Sequence, residues 1–237
     1  MSKVAPSSRV AVVIPALNEE ATLPLVLADI PRAVVEEVVV VDNGSSDHTA
    51  EVARALGATV LHESRRGYGA ACLAGLAYLQ TKQPDIVVFL DGDYSDHPEE
   101  IPVVIQPLIT GEYDLVIGSR VKGNADPGAL LPQARFGNAL AIRLIRWFYG
   151  FSYSDLGPFR AIRFPALLQL GMTDGNYGWT VEMQIKAIQK GLRITETPVR
   201  YRKRAGGVSK VTGTLKGTIL AGYKIVWTIF RYTWGAT

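Results

Sequence analysis

The sequence predicts an α/β fold built on a mostly parallel sheet with helices on both of its faces. Apolar runs of strand length, rich in valine and isoleucine, recur through the first half of the chain. Segments of helical length separate these runs, and polar residues gather directly after them. Strands that helices cover on both faces need little polar alternation, and regular alternation with helices is typical of parallel sheets. A doubly wound, Rossmann-like sheet is therefore expected.

The predicted elements follow one another closely through the first half of the chain. Strands are expected at 10–15, 38–42, 58–62, 85–91 and 113–119. Helices are expected at 19–30, 47–57, 69–82, 98–110 and 133–149. Pro98 suits the first turn of the fourth helix because an amide hydrogen has no partner there, and Glu99 and Glu100 suit its positive end.

The composition is that of a chain with a substantial core. Of the 237 residues, 48% are hydrophobic and 20% are charged, which argues against disorder. The single cysteine, Cys72, excludes an internal disulfide and fits a reducing compartment, and its apolar neighbours predict a buried thiol. No apolar run approaches the ~20 residues that cross a bilayer, and the N-terminus lacks a signal-peptide core. We expect a cytoplasmic protein that is soluble or lies on a membrane surface.

Two carboxylates follow the fourth predicted strand, in the triplet Asp91-Gly92-Asp93. Both can turn toward one divalent cation, and Mg²⁺ or Mn²⁺ prefers such oxygen ligands and shares its other positions with a diphosphate. The triplet alone is also compatible with a turn of solvated acids. Its place at the end of a buried strand favours the metal site.

Other strand ends carry polar residues too, and ligands of such sheets bind beyond the carboxyl ends of the strands. Asn18 and Glu19 follow the first strand, and Asp42 ends the second, where an acid can accept hydrogen bonds from a nucleoside. Asp42 could instead form a turn around Gly44. The loop with Arg66 and Gly67 either approaches a bound ligand or simply starts a helix. It fails as a dinucleotide fingerprint because the third glycine is missing.

Seven short motifs occur together in the chain. They are PALNE (15–19), DNGSSDHT (42–49), RGYGAA (66–71), DGDYSDHPEE (91–100), GSR (118–120), DLGPFRA (155–161) and RAGGVSK (204–210). Their order and spacing resemble the family 2 glycosyltransferases with a GT-A fold. More closely, they resemble the dolichyl- and polyprenyl-phosphate hexose synthases of the dolichol-phosphate mannosyltransferase type. The resemblance implies a GT-A catalytic domain over residues 1–210, followed by an amphipathic helical tail over 211–237.

The resemblance also implies an activity. It is inverting transfer of a hexose from a nucleotide diphosphate sugar, UDP-glucose or GDP-mannose, to a polyprenyl or dolichyl phosphate, with Mg²⁺ or Mn²⁺ as cofactor. Asp91 and Asp93 would hold the metal. The nucleoside would contact Pro15, Asn18, Glu19 and Asp42. The acceptor phosphate would face Arg120 and Arg135, and a basic loop with Arg204, Ser209 and Lys210 would close over the phosphates. Ser95 stands where the family often has glutamine, which leaves the metal's identity open.

The charge of the acceptor has a physical consequence. A hydroxyl acceptor needs a base during attack, whereas a lipid phosphate is already an anion and needs only cations to hold it. Basic residues cluster between 193 and 216, with Glu196 as the single acid, and attract phosphates. Asp155 and Glu182 are the candidate bases if the acceptor is a hydroxyl, although Glu182 could instead contact the basic cluster.

The tail from 215 to 234 has an apolar stripe at helical spacing. The stripe contains Leu215, Ile219, Val226, Ile229 and Phe230, with Lys216, Lys224, Arg231, Trp227 and Trp234 at its margin. Such an arrangement suits an interfacial helix on anionic lipid, and Arg143 to Phe148 could form a second such surface. A helix packed on the domain, a contact between subunits or a membrane partner subunit are the alternatives.

Other activities fit less well. A sugar nucleotidyltransferase needs a glycine-rich, arginine-containing loop after the first strand, and an NAD-dependent enzyme needs G-x-G-x-x-G there; this chain has PALNE. A nucleic-acid-binding protein would leave the paired aspartates unexplained, so no nucleic-acid partner is expected. Within glycosyltransferases, transfer to a soluble or glycan hydroxyl remains open.

Overall fold

A computed structural model of the chain describes residues 8–206 and 215–235, with side chains over 8–206 and 220–235. Within these residues the strands form one sheet in the order β3-β2-β1-β4-β6-β5-β7. Neighbouring strands are parallel, except that β6 runs antiparallel to β4 and β5. The strands are β1 (Val10–Ala16), β2 (Glu37–Asp42), β3 (Thr59–His62), β4 (Ile86–Phe89), β5 (Leu115–Ala125), β6 (Arg160–Arg163) and β7 (Ile194–Tyr201). The prediction of a mostly parallel sheet is confirmed.

Helices cover both faces of this sheet. They are α1 (Leu23–Asp29), α2 (Thr49–Ala55), α3 (Tyr68–Lys82), α4 (Ile101–Ile109), α5 (Pro132–Tyr149), α6 (Phe164–Leu170), α7 (Trp179–Gln189) and α8 (Leu215–Trp234). A short 3₁₀ helix, Pro98–Glu100, leads into α4, so Pro98 starts the helical segment as predicted. The first helix starts four residues later than expected, at Leu23, because the carbonyl of Glu19 accepts hydrogen bonds from the amides of Thr22 and Leu23 in a turn.

The interior strand β1 separates two layers of the core. Val10, Val12 and Ile14 pack on one side with α1 and α4, whereas Ala11 and Val13 pack on the other with α3, α5 and α7. A strand with helices on both faces buries both sets of side chains, which explains the unbroken apolar run. Cys72 belongs to the second layer and is buried, as predicted.

Strands β6 and β7 were not predicted. Strand β6 is only four residues long and begins and ends with arginine, a pattern that does not indicate a central strand. Arg160 is nevertheless buried, because its guanidinium group donates hydrogen bonds to the carbonyls of Leu156, Gly157 and Thr180.

The C-terminal helix α8 packs against α5 and α7. Ile229, part of the predicted apolar stripe, is fully buried in the core, and Tyr149 donates a hydrogen bond to its carbonyl. At least this part of the stripe therefore faces the protein; the side chains of Leu215 and Ile219 lie outside the described residues. Over the described ranges, no helix combines the length and apolar character needed to cross a membrane. The division of the chain at residue 210 remains a prediction.

Candidate active site

The predicted site residues of the first half gather at the carboxyl end of the sheet. Glu19 follows β1, Asp42 ends β2, and Asp91 and Asp93 follow β4. Strand β1 pairs directly with β2 and β4, so the loops after these three strands are neighbours. We call this edge, with Glu19, Asp42, Asp91, Asp93 and Asp96, the donor edge.

Contacts with the next three residues hold the triplet Asp91-Gly92-Asp93 in a defined turn. The backbone amide of Ser95 donates to Asp93 Oδ1 at 2.9 Å, and its hydroxyl donates to the same oxygen at 2.5 Å. Ser95 therefore orients the Asp93 carboxylate through two hydrogen bonds. Tyr94 has a φ of +62°, the left-handed conformation that reverses the chain within this turn. The next acid, Asp96, is buried, and its Oδ2 accepts a hydrogen bond from the amide of Asp91 at 3.3 Å.

Several carboxylates of the donor edge lie close together, and their burial and mutual repulsion oppose ionisation. Burial, together with the charge of Asp93, raises the pKa of Asp96 to about 7. Burial also raises the pKa of Asp91 well above its ordinary value, with the charges of Asp93 and Asp96 adding to the effect. The second oxygen of Asp96, Oδ1, is buried without a hydrogen-bond partner among the described residues. Crowded carboxylates of this kind fit a bound cation, which stabilises their ionised forms.

The set of side chains also indicates which kind of cation fits. In the part of the chain that the structure describes, no three His, Cys, Asp or Glu residues form a complete metal-binding cluster. Mg²⁺ and Mn²⁺ accept a site in which Asp91 and Asp93 supply one or two carboxylates and substrate phosphates complete the coordination.

Arg204 lies between two of these acids. Its Nη1 is 3.0 Å from Asp93 Oδ2, and its Nη2 pairs with Glu19 Oε1. The other oxygen of Glu19 lies 2.9 Å from the hydroxyl of Thr22, which is also 2.8 Å from the carbonyl of Gly92. The structure thus brings Arg204, from the predicted basic loop, and Glu19, predicted to contact the nucleoside, to the paired aspartates. Ser209 and Lys210 of the same loop lie outside the described residues.

The carboxylate of Asp42, at the end of β2, accepts hydrogen bonds from two neighbouring residues. Asp42 Oδ1 accepts a hydrogen bond from the amide of Ser45 at 2.9 Å, and His62 Nδ1 lies 3.1 Å from Oδ2. Burial of Asp42 opposes ionisation, but the hydrogen bonds from Ser45 and His62 outweigh it and lower the pKa of Asp42. Asp42 is thus an ionised acceptor at neutral pH. His62 was not predicted, although its place at the end of β3 is the same signal that identified Asp42.

The loops after β1 and β2 are tied to each other. Asn18 has a φ of +55°, its amide donates to Ser45 Oγ at 2.9 Å, and its Oδ1 accepts from the amide of Ser46 at 2.8 Å. Pro15 lies in β1 opposite Val41. These contacts hold the two loops together as one wall of the site.

The loop with Arg66 and Gly67 meets this wall. Gly67 has a φ of +147°, its amide donates to Asn43 Oδ1 at 2.8 Å, and a Cβ at 67 would collide with the carbonyl of Gly175. Close backbone packing therefore explains this glycine. Gly44 lies in the loop that follows Asp42. The guanidinium group of Arg66 lies about 3.4 Å from the point that a Cβ atom would occupy on Gly44.

A second region of the site is a groove between β5 and α5. Its volume is about 470 Å³, and we call it the acceptor groove. Arg120 and Arg135 contribute cations, Asp155 is the one carboxylate among its lining residues, and the rest are small polar or apolar. The apolar members include Val121, Leu130, Ala134, Ala139 and Ile142. Arg120 is close enough to the donor edge that its charge opposes the rise in the pKa values of Asp91 and Asp96.

Both predicted bases, Asp155 and Glu182, already form hydrogen bonds and ion pairs within the protein. Arg120 donates to Asp155 through Nε at 2.8 Å, Nη2 at 2.7 Å and its backbone amide at 2.8 Å, and Asp155 is fully buried. Glu182 is also fully buried, in α7, where it accepts hydrogen bonds from Tyr232 of α8 at 2.6 Å and from the amide of Asp174 at 2.7 Å. Lys186 pairs with Glu182 at 2.7 Å. Glu182 therefore anchors α8, which corrects its assignment as a candidate base.

A family model, Glycosyl transferase family 2, matches residues 11–171. The chain belongs to this family. It is 40% identical to an uncharacterized glycosyltransferase of Mycobacterium tuberculosis, over 90% of this chain and 94% of that protein. A dolichyl-phosphate hexose transferase of Haloferax volcanii is 38% identical over 83% and 84% of the two chains. An undecaprenyl-phosphate mannosyltransferase of Micrococcus luteus is 33% identical over 88% and 90%.

Solved structures agree with this assignment. The fold is similar to glucosyl-3-phosphoglycerate synthase of Mycobacterium tuberculosis, solved with Mn²⁺, UDP-glucose and phosphoglyceric acid, with a TM-score of 0.76 and 27% identity. That match covers 97% of this chain and 81% of the other. The same enzyme was also solved with Mg²⁺ and UDP, at a TM-score of 0.73 over 95% of this chain and 79% of the other. This family 2 glycosyltransferase thus has the GT-A-like fold that its motifs predict, and its structural neighbours bind the predicted cofactor ions.

Proposed function

We propose that this glycosyltransferase moves a hexose, with inversion, from UDP-glucose to a polyprenyl phosphate at the cytoplasmic surface of a membrane. GDP-mannose is the second donor candidate. One observation carries the choice of acceptor. Asp155, the one carboxylate that lines the acceptor groove, is buried, and both of its oxygens accept hydrogen bonds from the guanidinium group of Arg120.

The chemistry of the acceptor follows from that observation. An attacking hydroxyl group must lose a proton, and a base within hydrogen-bond reach is needed for this step. A phosphate monoester is already an anion, so attack by its oxygen on the sugar's anomeric carbon needs no base. Arg135, exposed at the groove, and the outer edge of Arg120 supply positive charge for a phosphate. The apolar lining suits the first isoprenoid unit behind that phosphate.

The donor would lie along the donor edge. Asp42, held ionised by Ser45 and His62, accepts hydrogen bonds from the nucleoside. Asp91 and Asp93 would hold Mg²⁺ or Mn²⁺ together with the diphosphate, and the ion neutralises charge on the leaving diphosphate. Arg204 moves its positive charge from Asp93 to the phosphates, and Ser209 and Lys210 are proposed to join it there. Solved relatives with UDP and UDP-glucose support a uridine nucleotide, and the two relatives with lipid-phosphate names support the acceptor.

The proposal is tested by measuring where the labelled hexose of the donor is transferred. Purified protein with Mg²⁺ receives UDP-glucose or GDP-mannose, labelled in the hexose, with and without a polyprenyl phosphate in detergent. Organic extraction then separates lipid-linked label from water-soluble label. We expect label in the organic phase from UDP-glucose and only when the lipid phosphate is present. Label that stays in the organic phase after mild acid treatment, which cleaves a glycosyl phosphodiester, would contradict the proposal.

A second candidate acceptor comes from the structural neighbours, which were solved with phosphoglyceric acid. The cations of the acceptor groove would also attract this soluble anion, whose hydroxyl is the attacking group. A parallel reaction with 3-phosphoglycerate therefore belongs in the assay. Water-soluble labelled product that depends on phosphoglycerate, with none in the organic phase, would replace the lipid phosphate as acceptor.

A further inference from the structure

Two neighbouring helices, α5 and α8, carry several cations and no acidic residue. Neither contains a single Asp or Glu over its full length of 18 and 20 residues. They carry six cations: Arg135, Arg143, Arg146, Lys216, Lys224 and Arg231. Lys224 pairs with Asp174 of a neighbouring loop at 2.9 Å, whereas Arg143, Arg146 and Arg231 are exposed and make the outer side of the two packed helices positively charged.

The outer side of α5 is apolar and aromatic. Phe136 is 72% exposed and Trp147 is 80% exposed, with Leu140 and Arg143 exposed between them. The spacing of these four residues places them on one side of a helix, opposite the buried Ala141 and Ile145. Large apolar side chains in a row are therefore directed away from the core.

The outer side of α8 repeats this pattern. Tyr223 is 69% exposed and Trp234 is 73% exposed, and Leu220, Trp227 and Arg231 lie exposed on the same side of the helix. This stripe differs from the one that the sequence suggested, because Ile229 of that stripe is buried against the domain. The exposed stripe appears only when the packing of α8 is known.

Aromatic rings join the two stripes into one surface. The ring of Phe148 stacks on Trp147 with centroids 5.6 Å apart, and lies 5.8 Å from Trp234 and 5.5 Å from Phe230. The guanidinium group of Arg231 lies 5.2 Å from the ring of Trp227. Tryptophan side chains with arginine beside them, on a helix surface without acids, are typical of contact with the interface of an anionic bilayer.

We infer that the outer stripes of α5 and α8 form one composite surface that docks the enzyme on an anionic lipid bilayer. The inference rests on the proposed function in one respect: a lipid acceptor must reach the acceptor groove from the membrane. Helix α5 connects the two, since Ala134, Arg135 and Asn138 line the groove while Phe136 and Leu140 belong to the docking surface. Binding of α5 to the membrane places the mouth of the groove beside the lipid headgroups.

Vesicle flotation of the purified full chain tests the surface directly. We expect binding to vesicles of phosphatidylcholine with phosphatidylglycerol, and little binding to phosphatidylcholine alone. Trp147→Ala combined with Trp234→Ala removes the two most exposed rings and weakens binding by roughly tenfold or more. Val103→Ala combined with Ile109→Ala is the matched control, because these exposed residues lie on α4 at the other face of the sheet. Equal loss in both double variants would overturn the inference.

The charge of the surface has its own test. Arg143→Gln combined with Arg146→Gln abolishes the preference for phosphatidylglycerol, because both exposed cations lie beside the aromatic stripe of α5. Arg32→Gln combined with Lys82→Gln lowers the net charge equally at exposed positions on other elements and leaves the preference unchanged. An equal effect of both pairs would indicate general electrostatics and contradict a docking surface.

Two outcomes separate this inference from the proposed function. If the wild type floats with anionic vesicles but transfers sugar only to a soluble acceptor, the surface is supported and the lipid acceptor is rejected. If the wild type transfers sugar to polyprenyl phosphate in detergent but does not bind vesicles, the surface is rejected. Sedimentation as a dimer that Trp147→Ala with Trp234→Ala converts to a monomer, without vesicle binding, would assign the surface to a second copy of the chain.

Discussion

The site contains two arginine–carboxylate arrangements that differ in how firmly each arginine is held. Arg120 and Asp155 form a two-point pair, with a third hydrogen bond from the Arg120 amide, and only 1% of the Asp155 side chain is exposed. Arg204 instead spreads single contacts over two carboxylates, Asp93 and Glu19. Both arginines are largely buried, but a two-point pair on a fully buried carboxylate costs more to break than single contacts divided between two carboxylates, which are exchanged more easily for another anion or cation.

The Arg120–Asp155 pair therefore holds the structure together, whereas Arg204 lies where the metal ion is proposed to bind. The buried pair fixes the loop of Asp155 against β5, and Glu196 adds hydrogen bonds from the amides of Ser154 and Asp155 at 2.7 and 3.2 Å. Arg204 occupies a carboxylate that the proposed metal ion needs. Under the proposed function, the groove is formed without substrate, and Arg204 gives up its contact with Asp93 when the metal and the nucleotide sugar bind.

The largest expected effect is the loss of transfer in Asp93→Ala. Removal of this carboxylate takes away a proposed metal ligand and the partner of Arg204, and we expect transfer to fall roughly 100-fold or more with the melting temperature nearly unchanged. Asp85→Ala is the control, since its side chain is 56% exposed and lies at the opposite end of β4. Unchanged turnover of Asp93→Ala in excess Mg²⁺ would remove the metal from the proposal.

Breaking the buried pair should act on stability. Asp155→Ala leaves the guanidinium group of Arg120 without its partner, and we expect a loss of about 3–5 kcal/mol in the free energy of unfolding, measured by urea denaturation. Asp114→Ala is a close control. Asp114 accepts the same three types of hydrogen bond from Arg193, but that arginine is 55% exposed, so a loss of about 1 kcal/mol or less is expected. Equal losses would show that burial does not distinguish the two pairs.

Arg204→Gln tests the exchange of charge at the donor edge. Without the guanidinium group, Asp93 and Glu19 have a stronger attraction for a divalent ion, so we expect Mn²⁺ to bind the nucleotide-free protein more tightly in calorimetry. Transfer should nevertheless fall, because the phosphates lose a cation. Arg200→Gln, whose arginine pairs with Glu99 and Glu100, should change neither quantity. Weaker Mn²⁺ binding in Arg204→Gln would contradict a competition between the arginine and the metal.

The smallest expected effect is a dependence of stability on pH. The pKa of Asp96 is about 7 in the folded protein and near 3.8 when unfolded, so the folded state binds more protons between these values. This contribution to stability is present at low pH and is lost as the pH rises through 7. Without metal, the wild type should gain more stability than Asp96→Asn when the pH falls from about 8 to about 5. Thermal melts at both pH values test this, and an equal response of the two proteins would exclude Asp96 as the source.

The sequence by itself determined the fold class and the donor edge. Apolar runs and strand-end polarity are local patterns, and parallel strands bring their carboxyl ends to one edge, so Asp42, Asp91 and Asp93 could be grouped without coordinates. The family resemblance added Arg120, Arg135 and Arg204. The metal ligands and the role of each site residue remain predictions that the mutants above test.

The tertiary structure decided what depends on partners far away in the chain. Asp155 and Glu182 look like equal candidate bases in sequence, but Arg120 engages the first and Tyr232, 50 positions away, engages the second. Strand β6 is held in the sheet by pairing with β4 and β5, which its own four residues do not indicate. The same holds for α8, where the burial of Ile229 leaves Trp227 and Trp234 on the surface. Helical periodicity identifies an amphipathic helix, but only packing against the rest of the chain selects the side that faces solvent.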